Sequence, residues 1–208
     1  MIKIQSLVHQ YHNVPALQFP DWEIKDREQW LLLGSSGSGK STLLNIIAGL
    51  LKPKSGNVIL DGTSLYDLST REMDKFRGQK IGIIFQRPHF IKSLNMYDNI
   101  AIASTFAGLP VDGKRILMLL DSLGLANKSK SYADELSQGQ LQRASIARAL
   151  VNHPSVLIAD EPTSSLDDEN AEKVISLLTT QAASSDASLI VATHDNRVRN
   201  RLSKEYLL

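Results

Sequence analysis

The sequence contains no cysteine, which excludes disulfide bonds and thiolate metal sites and fits a reducing compartment. It also lacks an excess of charge of either sign, because 23 lysine and arginine residues stand against 22 aspartate and glutamate residues. The formal net charge of +1 gives no overall field that would draw the chain to nucleic acid or to an acidic membrane surface. We therefore expect no nucleic-acid partner.

Long hydrophobic runs are missing as well. The longest ones, residues 30–33 and 46–51, fall far short of the roughly 20 residues that a helix needs to span a bilayer. The first residues, Ile2-Lys3-Ile4, alternate like a strand and lack the apolar segment and cleavage site of a secretory signal. We expect a cytoplasmic protein that does not cross a membrane by itself.

What the sequence does contain is enough apolar material for one folded domain, since 42% of its 208 residues are hydrophobic. Short apolar runs at 81–85, 155–159 and 188–193 are typical of parallel strands covered on both faces. Residues 2–7, 16–24 and 29–33 predict earlier strands, and the periodicity between the runs at 81–85 and 155–159 is helical. The chain 1–208 is thus predicted to be a single α/β domain with a mostly parallel sheet, N-terminal antiparallel strands and a helical subdomain inserted at about 87–152.

A complete phosphate-binding P-loop lies between the apolar segment 29–33 and a helix-permissive segment, 42–51. Glycines let such a loop wrap around phosphates with its N–H groups pointing inward, and the helix N-terminus adds positive potential. The lysine would reach the terminal phosphates, and the last serine would ligate Mg²⁺. These residues predict a site for ATP and Mg²⁺, and they are Gly34, Ser35, Ser36, Gly37, Ser38, Gly39, Lys40 and Ser41, followed by Thr42.

Two adjacent carboxylates, Asp160 and Glu161, follow the apolar run 155–159. Because successive side chains of a strand point in opposite directions, we expect the two carboxylates to have different tasks. Asp160 is suited to hold Mg²⁺, directly or through water, and Glu161 to accept a proton from an attacking water. An acidic turn that merely ends the strand is the alternative, but beside a P-loop the pair predicts a nucleotide hydrolase.

The segment Leu136-Ser137-Gln138-Gly139-Gln140 precedes an apolar-periodic helix. A serine hydroxyl and a glycine N–H at a helix N-terminus form an anion site, although a simple serine N-cap is the alternative. The segment resembles the signature sequence of ATP-binding cassette (ABC) proteins, with Gln138 where the family usually has glycine. The resemblance implies that Ser137 and Gly139, with Gln140 beside them, bind the γ-phosphate held by a second protomer's P-loop.

Other cassette motifs follow in the order that the family shows. Gln86 resembles the Q-loop glutamine that contacts Mg²⁺ and the attacking water, and His194 resembles the switch histidine that contacts the γ-phosphate. The run Ser164-Ser165-Leu166-Asp167 resembles the D-loop at the dimer interface. The resemblance therefore makes Glu161, His194, Lys40 and Gln86 the catalytic group, and Ser41, Gln86 and Asp160 the metal ligands.

The adenine ring is assigned by the same resemblance to Tyr11, in a loop before the P-loop. Neighbouring His12 could stack on the base in the same way, and a half-buried strand tyrosine is an equally good interpretation of Tyr11. These alternatives stay open.

The resemblance covers essentially the whole chain and implies the ATPase subunit of an ABC transporter. Such a subunit dimerises on ATP binding, with its own copy or a similar cassette, and powers an integral membrane permease from the inner face of the membrane. Residues 76–86 and 159–163 resemble the branch of lipoprotein-releasing, macrolide-exporting and cell-division ATPases. A cassette that acts on cell division, DNA or ribosomes is the first alternative, and a soluble P-loop kinase is the second.

The residues just after Gln86 are unusually apolar for a loop. They predict either packing on the helical subdomain or a groove that docks a short cytoplasmic helix of the membrane subunit. The residues of this predicted docking segment are Arg87, His89, Phe90, Ile91 and Leu94.

Overall fold

The computed structural model describes residues 1–164, 168–193 and 201–208, and for residues 168–170 the backbone alone. Within these ranges the strands are β1 (Ile2–His9), β2 (Leu17–Gln18), β3 (Trp22–Ile24), β4 (Gln29–Leu33), β5 (Ser55–Leu60), β6 (Thr63–Ser64), β7 (Ile81–Ile84), β8 (Val156–Asp160), β9 (Ser188–Ala192) and β10 (Lys204–Leu207). The helices are α1 (Lys40–Ile47), α2 (Thr70–Lys80), α3 (Met96–Phe106), α4 (Gly113–Ser122), α5 (Gln138–Leu150) and α6 (Asp168–Ser184). No helix in the described ranges is long and apolar enough to cross a membrane.

The strands form two sheets. In the first, β10, β4, β9, β8 and β7 lie side by side in this order, and every pair is parallel. The second is antiparallel, with β1 paired to β2, β3 and β5, and β5 paired to β6. The predicted fold class is confirmed. In a parallel sheet the carboxyl ends of the strands meet at one edge, which is where ligands of open α/β sheets bind.

The parallel sheet separates two hydrophobic cores, and its strands supply both of them in alternation. In β8, Leu157 packs in the core shared with α3 to α6, whereas Ile158 packs in the core shared with α1 and the antiparallel sheet. Leu31 and Leu32 of β4 divide in the same way. All four side chains are at most 1% exposed. Because both faces of the sheet are packed against other elements, the strand ends that carry the loops of the carboxyl edge are held in place.

Glycine and proline explain where the elements depart from the predicted segments. α1 begins at Lys40 rather than Thr42 and ends before Gly49, whose φ of 65° belongs to the left-handed region that commonly closes a helix. The predicted strand 16–24 is two short strands, β2 and β3. Pro20 lies between them and has no N–H to donate to a sheet.

Between β7 and β8 the chain forms α3, α4 and α5, which share one core with α6. Asn95, Asp112 and Ser137 stand directly before these helices, and each accepts a hydrogen bond from the backbone N–H three residues further on. A short polar side chain there satisfies an N–H that the helix leaves without a partner. The helical insertion agrees with the predicted fold class, and the bounds of 87–152 for a subdomain stay a prediction.

Candidate active site

The P-loop joins β4 to α1 at the carboxyl edge of the parallel sheet. Gly37 and Gly39 have φ angles of 81° and 101°, which glycine adopts without the steric cost that other residues meet. An added Cβ at Gly39 would also lie 3.2 Å from a side-chain carbon of Leu17. The turn leads directly into α1, whose first N–H groups have no acceptor within the helix and form an anion site.

Lys40 is the first residue of α1 and is only 8% exposed. Its Nζ donates to the carbonyl oxygens of Gly34, at 2.8 Å, and Ser35, at 3.0 Å. The ammonium group is therefore held inside the loop that would surround the phosphates. A charged phosphate oxygen is a stronger acceptor than either carbonyl, so Nζ can exchange these carbonyl partners for phosphate oxygens when a nucleotide binds.

Ser41 and Asp160 meet at this edge, where the nearby Ser41 hydroxyl acts to lower the pKa of the Asp160 carboxyl group. Burial outweighs that effect and raises the pKa of Asp160 above its ordinary value, and the neighbouring Glu161 raises it further. Asp160 Oδ1 is buried and has no hydrogen-bond partner among the described residues. A buried, unpaired carboxylate oxygen is costly, and a cation would stabilise it.

The oxygen atoms of Ser41 and Asp160 fit Mg²⁺, which takes oxygen ligands and is usually held by one or two protein groups together with phosphates. These two residues would hold the ion, with the amide oxygen of Gln86 as the third predicted ligand. When it is bound with ATP, Mg²⁺ neutralises charge on the β- and γ-phosphates.

Glu161 follows β8 with a φ of 47°, in a region that residues with side chains adopt uncommonly. Its N–H donates to the Ala192 oxygen at 2.8 Å, and the Thr193 hydroxyl donates to Glu161 Oε2 at 3.0 Å. The end of β9, which lies next to β8, therefore positions both the backbone and the carboxylate of the predicted base. Sequence reasoning missed Thr193, because only the strand order shows that these two strand ends are neighbours.

Gln86 lies two residues beyond β7, on the other side of β8. Ile84 pairs with Ala159, so Gln86 and Glu161 leave the sheet at neighbouring points. The Gln86 Nε2 donates to the Ser164 hydroxyl at 2.9 Å. The structure thus brings the predicted glutamine to the strand end that carries the two carboxylates.

Tyr11 lies just after β1 and is 44% exposed. Its hydroxyl is 3.2 Å from the hydroxyl of Thr42, which follows the P-loop serine, and its ring packs edge-on against His9 with the centroids 4.6 Å apart. An open cavity of about 680 Å³ lies beside it and is also lined by His12. The contact with Thr42 places Tyr11 beside the P-loop, and its stacking on the base stays a prediction.

We expect Tyr11→Ala to weaken ATP binding about tenfold, because stacking of a base on an aromatic side chain contributes roughly 1–3 kcal/mol. Tyr11→Phe should retain most of the affinity, since the ring remains, and His12→Ala should change little. Equilibrium titration with a fluorescent ATP analogue measures all three variants. A loss confined to His12→Ala would contradict the assignment to Tyr11.

Ser137 and Gln140 form a reciprocal capping box at the start of α5. The Ser137 hydroxyl accepts from the Gln140 N–H at 3.3 Å, and the Gln140 side-chain oxygen accepts from the Ser137 N–H at 2.9 Å. Gln140, predicted in the nucleotide site, thus has a capping role in the structure. Ser137 and Gln138 are exposed, and a Cβ added at Gly139 would meet nothing within 4 Å. The N-terminus of α5 therefore faces open space.

Two predicted contributions lie outside the described residues. They are His194, which follows Thr193 in the chain, and residues 165–167 of the predicted D-loop. Their roles stay predictions that rest on the resemblance.

The described site defines a P-loop nucleotide hydrolase, because the phosphate loop, the Ser41–Asp160 pair and the carboxylate of Glu161 meet at one sheet edge. Residues 17–164 match the family described as ABC transporter. The chain belongs to this family, and it is an ATP-binding, ATP-hydrolysing subunit of the ABC transporter type. Membership sets aside the soluble kinase considered from the sequence.

Relatives cover nearly all of the chain. The lipoprotein-releasing system ATP-binding protein LolD of Buchnera aphidicola is 41% identical over 195 residues, which are 93% of this chain and 85% of that protein. The methionine import ATP-binding protein MetN of Carboxydothermus hydrogenoformans is 38% identical over 95% of this chain and 60% of that protein. A dimeric ATP-binding cassette, solved in a post-hydrolysis state with ADP and phosphate, matches with a TM-score of 0.89 at 33% identity, covering 100% of this chain and 94% of its own. The predicted resemblance to the branch with lipoprotein-releasing ATPases is confirmed.

Proposed function

We propose that the chain binds ATP with Mg²⁺ at the described sheet edge and hydrolyses it as one half of a dimer that drives a membrane permease. The observation that carries this proposal is that the chain has two helix N-termini suited to bind an anion, at α1 and at α5. The P-loop stands with Asp160 and Glu161 at the sheet edge, whereas the helix N-terminus at Ser137 faces open space. A dimer in which each α5 closes on the nucleotide of the other protomer accounts for both.

Within this dimer, Glu161 polarises a water molecule for in-line attack on the γ-phosphate. Lys40 releases its two carbonyl partners and binds phosphate oxygens, while Gln86 and His194 contact the water and the γ-phosphate. The N–H groups of the P-loop and of α1 stabilise charge on the transferring group.

ATP favours the closed dimer because Ser137 and Gly139 contact the nucleotide only when the two protomers come together. A ligand that binds one of two states more tightly shifts the population toward that state. Hydrolysis removes the phosphate that joins the protomers, and the dimer reopens. The related cassette solved with ADP and phosphate is itself dimeric, which supports this arrangement.

A groove of about 690 Å³ runs beside β7, α2, α3 and α5, and we propose that it docks a helix of the permease. Three apolar side chains in it are exposed, namely Leu50 at 46%, Ile91 at 43% and Phe106 at 76%. Exposed apolar groups gathered in one groove mark an interaction surface.

The predicted docking segment contributes to this groove only in part. His89 and Ile91 line the groove. Phe90 instead packs on the helical core, with the Arg148 guanidinium 4.7 Å from its ring centroid. Phe90 therefore follows the packing alternative, and a test of docking has to leave it unchanged.

The double variant Ile91→Ser/Phe106→Ser is expected to lose copurification with the permease while keeping its melting temperature and basal ATPase activity. Phe106 is mostly in water, Ile91 is nearly half exposed, and neither belongs to the two hydrophobic cores, so their removal costs the fold little. Leu117→Ser/Met118→Ser on α4, at positions 50% and 68% exposed and outside the groove, is the matched control. Equal retention of the membrane protein by both double variants would refute docking in this groove.

We propose that the permease, rather than this chain, selects the transported molecule. Relatives named for lipoprotein release and for methionine import align with 93% and 95% of the chain. Relatives of one fold are thus named for different cargoes, and the feature they have in common is the ATP-binding subunit.

Affinity purification of the tagged chain from detergent-solubilised membranes tests the proposal. We expect an integral membrane protein in fixed ratio to the chain, identified by mass spectrometry, and ATPase activity that depends on Mg²⁺. Recovery with ribosomes or DNA and without a membrane protein would contradict the transport proposal.

A further inference from the structure

A hydroxyl outside the predicted catalytic group contacts Gln86. The Gln86 Nε2 donates to Ser164 Oγ at 2.9 Å, across 78 residues of sequence. Ser164 belongs to the turn after β8, and its own N–H donates to the backbone carbonyl oxygen of Glu161 at 3.3 Å. One serine therefore links the end of β7 to the turn that begins at the predicted base.

The two ends of a glutamine amide have opposite chemistry. The oxygen accepts hydrogen bonds and ligates cations, whereas the NH₂ group only donates. Contact with Mg²⁺ requires the oxygen. Because Ser164 Oγ takes the Nε2 end of Gln86, the amide oxygen occupies the other position on the side chain.

We infer that Ser164 is a positioning residue for Gln86: its hydroxyl holds the amide by Nε2 and leaves the amide oxygen for the nucleotide and its metal ion. Gln86 is exposed, and a long polar side chain on a surface samples many rotamers unless a partner orders it. Groups that orient a metal ligand from behind commonly change metal affinity without touching the metal. The inference rests on the proposed role of Gln86 toward Mg²⁺.

The competing interpretations predict different effects on nucleotide affinity when the Ser164 hydroxyl is removed. If the contact is an ordinary surface hydrogen bond, removing it changes nothing measurable at the nucleotide. If it holds Gln86 away from the nucleotide, removing it strengthens binding. If Ser164 positions Gln86, removing its hydroxyl weakens nucleotide binding only with Mg²⁺ and only when Gln86 is present.

The test measures affinity for a fluorescent ATP analogue, with Mg²⁺ and with EDTA, in the full chain. All variants carry Glu161→Gln so that hydrolysis does not deplete the analogue. The variants compared are Ser164→Ala, Ser164→Thr, Gln86→Ala and the double variant Gln86→Ala/Ser164→Ala. Thermal unfolding without nucleotide checks that each of them is folded.

With Mg²⁺ we expect Ser164→Ala to weaken binding about twofold to tenfold, the range for one lost hydrogen bond. Ser164→Thr keeps a hydroxyl and should restore affinity, and all variants should agree in EDTA. In the Gln86→Ala background, Ser164→Ala should add nothing, which is the mark of a residue that acts through another.

An unchanged or tighter affinity of Ser164→Ala with Mg²⁺ would overturn the inference, as would an equal loss in the Gln86→Ala background. Failure of the proposed function is distinct, because the parent protein would then show no effect of Mg²⁺ on nucleotide binding.

Discussion

Glu161→Gln is expected to bind ATP normally but to lower turnover by about 10²- to 10⁴-fold, the usual contribution of a general base. The amide has nearly the shape of the carboxylate, and its oxygen can still accept the hydrogen bond from Thr193. It cannot take a proton from water. Nucleotide binding and the local fold should therefore survive while the chemical step fails. Steady-state phosphate release and equilibrium titration separate the two effects.

The same variant should accumulate as a dimer, because ATP that is not hydrolysed keeps the protomers joined. Size-exclusion chromatography with light scattering compares it with MgATP, with ATP and EDTA, and without nucleotide. Glu23→Gln, on β3 of the antiparallel sheet, makes the same chemical change away from the site and should behave like the parent. A monomer in all three conditions at high protein concentration would contradict the sandwich dimer.

Ser137→Arg is expected to abolish ATPase activity and to leave nucleotide binding by the monomer intact. The larger cationic side chain would fill the open space before α5, where the phosphate of the other protomer is proposed to bind. Gln138→Gly changes the adjacent exposed residue and should keep activity within a few-fold, because the Ser137 hydroxyl and the backbone N–H groups remain. A large loss in Gln138→Gly would show that the side chain of Gln138 takes part in the site.

Mixing variants tests whether Ser137 acts across the dimer. Lys40→Ala removes the lysine of the P-loop, and Ser137→Arg removes the partner contact, so each protein alone should be inactive. A mixed dimer contains one intact pair, the P-loop of the Ser137→Arg protomer facing Ser137 of the Lys40→Ala protomer. Recovery of activity on mixing supports the composite site, and its absence would place Ser137 and Lys40 in one and the same site.

Local chemistry made the nucleotide site predictable from the sequence. The P-loop can be recognised from the sequence because its glycine spacing, its lysine and the preceding apolar strand all lie within a short segment. α2 carries a comparable signal, the pair Ser69 and Glu72 that forms a capping box, yet it was missed. Met73 is its one buried residue, so the helix shows little apolar periodicity. The short strand β10 was missed for a related reason, because Tyr206 alone is buried in it.

Contacts between strand ends could not be predicted in this way. Thr193 and Glu161 are 32 residues apart in the chain, and each follows a strand whose neighbours are known only from the fold. Gln140 shows the reverse case, since the spacing from Ser137 to Gln140 is itself a capping-box pattern. The family resemblance drew attention to the phosphate, and the local role of Gln140 was overlooked.

The alternation of the parallel strands between two cores has a consequence for motion. α3 to α6 are held by one set of side chains, and α1 with the antiparallel sheet by the other. Local openings in a protein follow such packing units. We therefore expect local opening of the helices that present Ser137 to leave the packing beneath Lys40 closed. A nucleotide would then stay bound at the P-loop while the helices α3 to α6 change position.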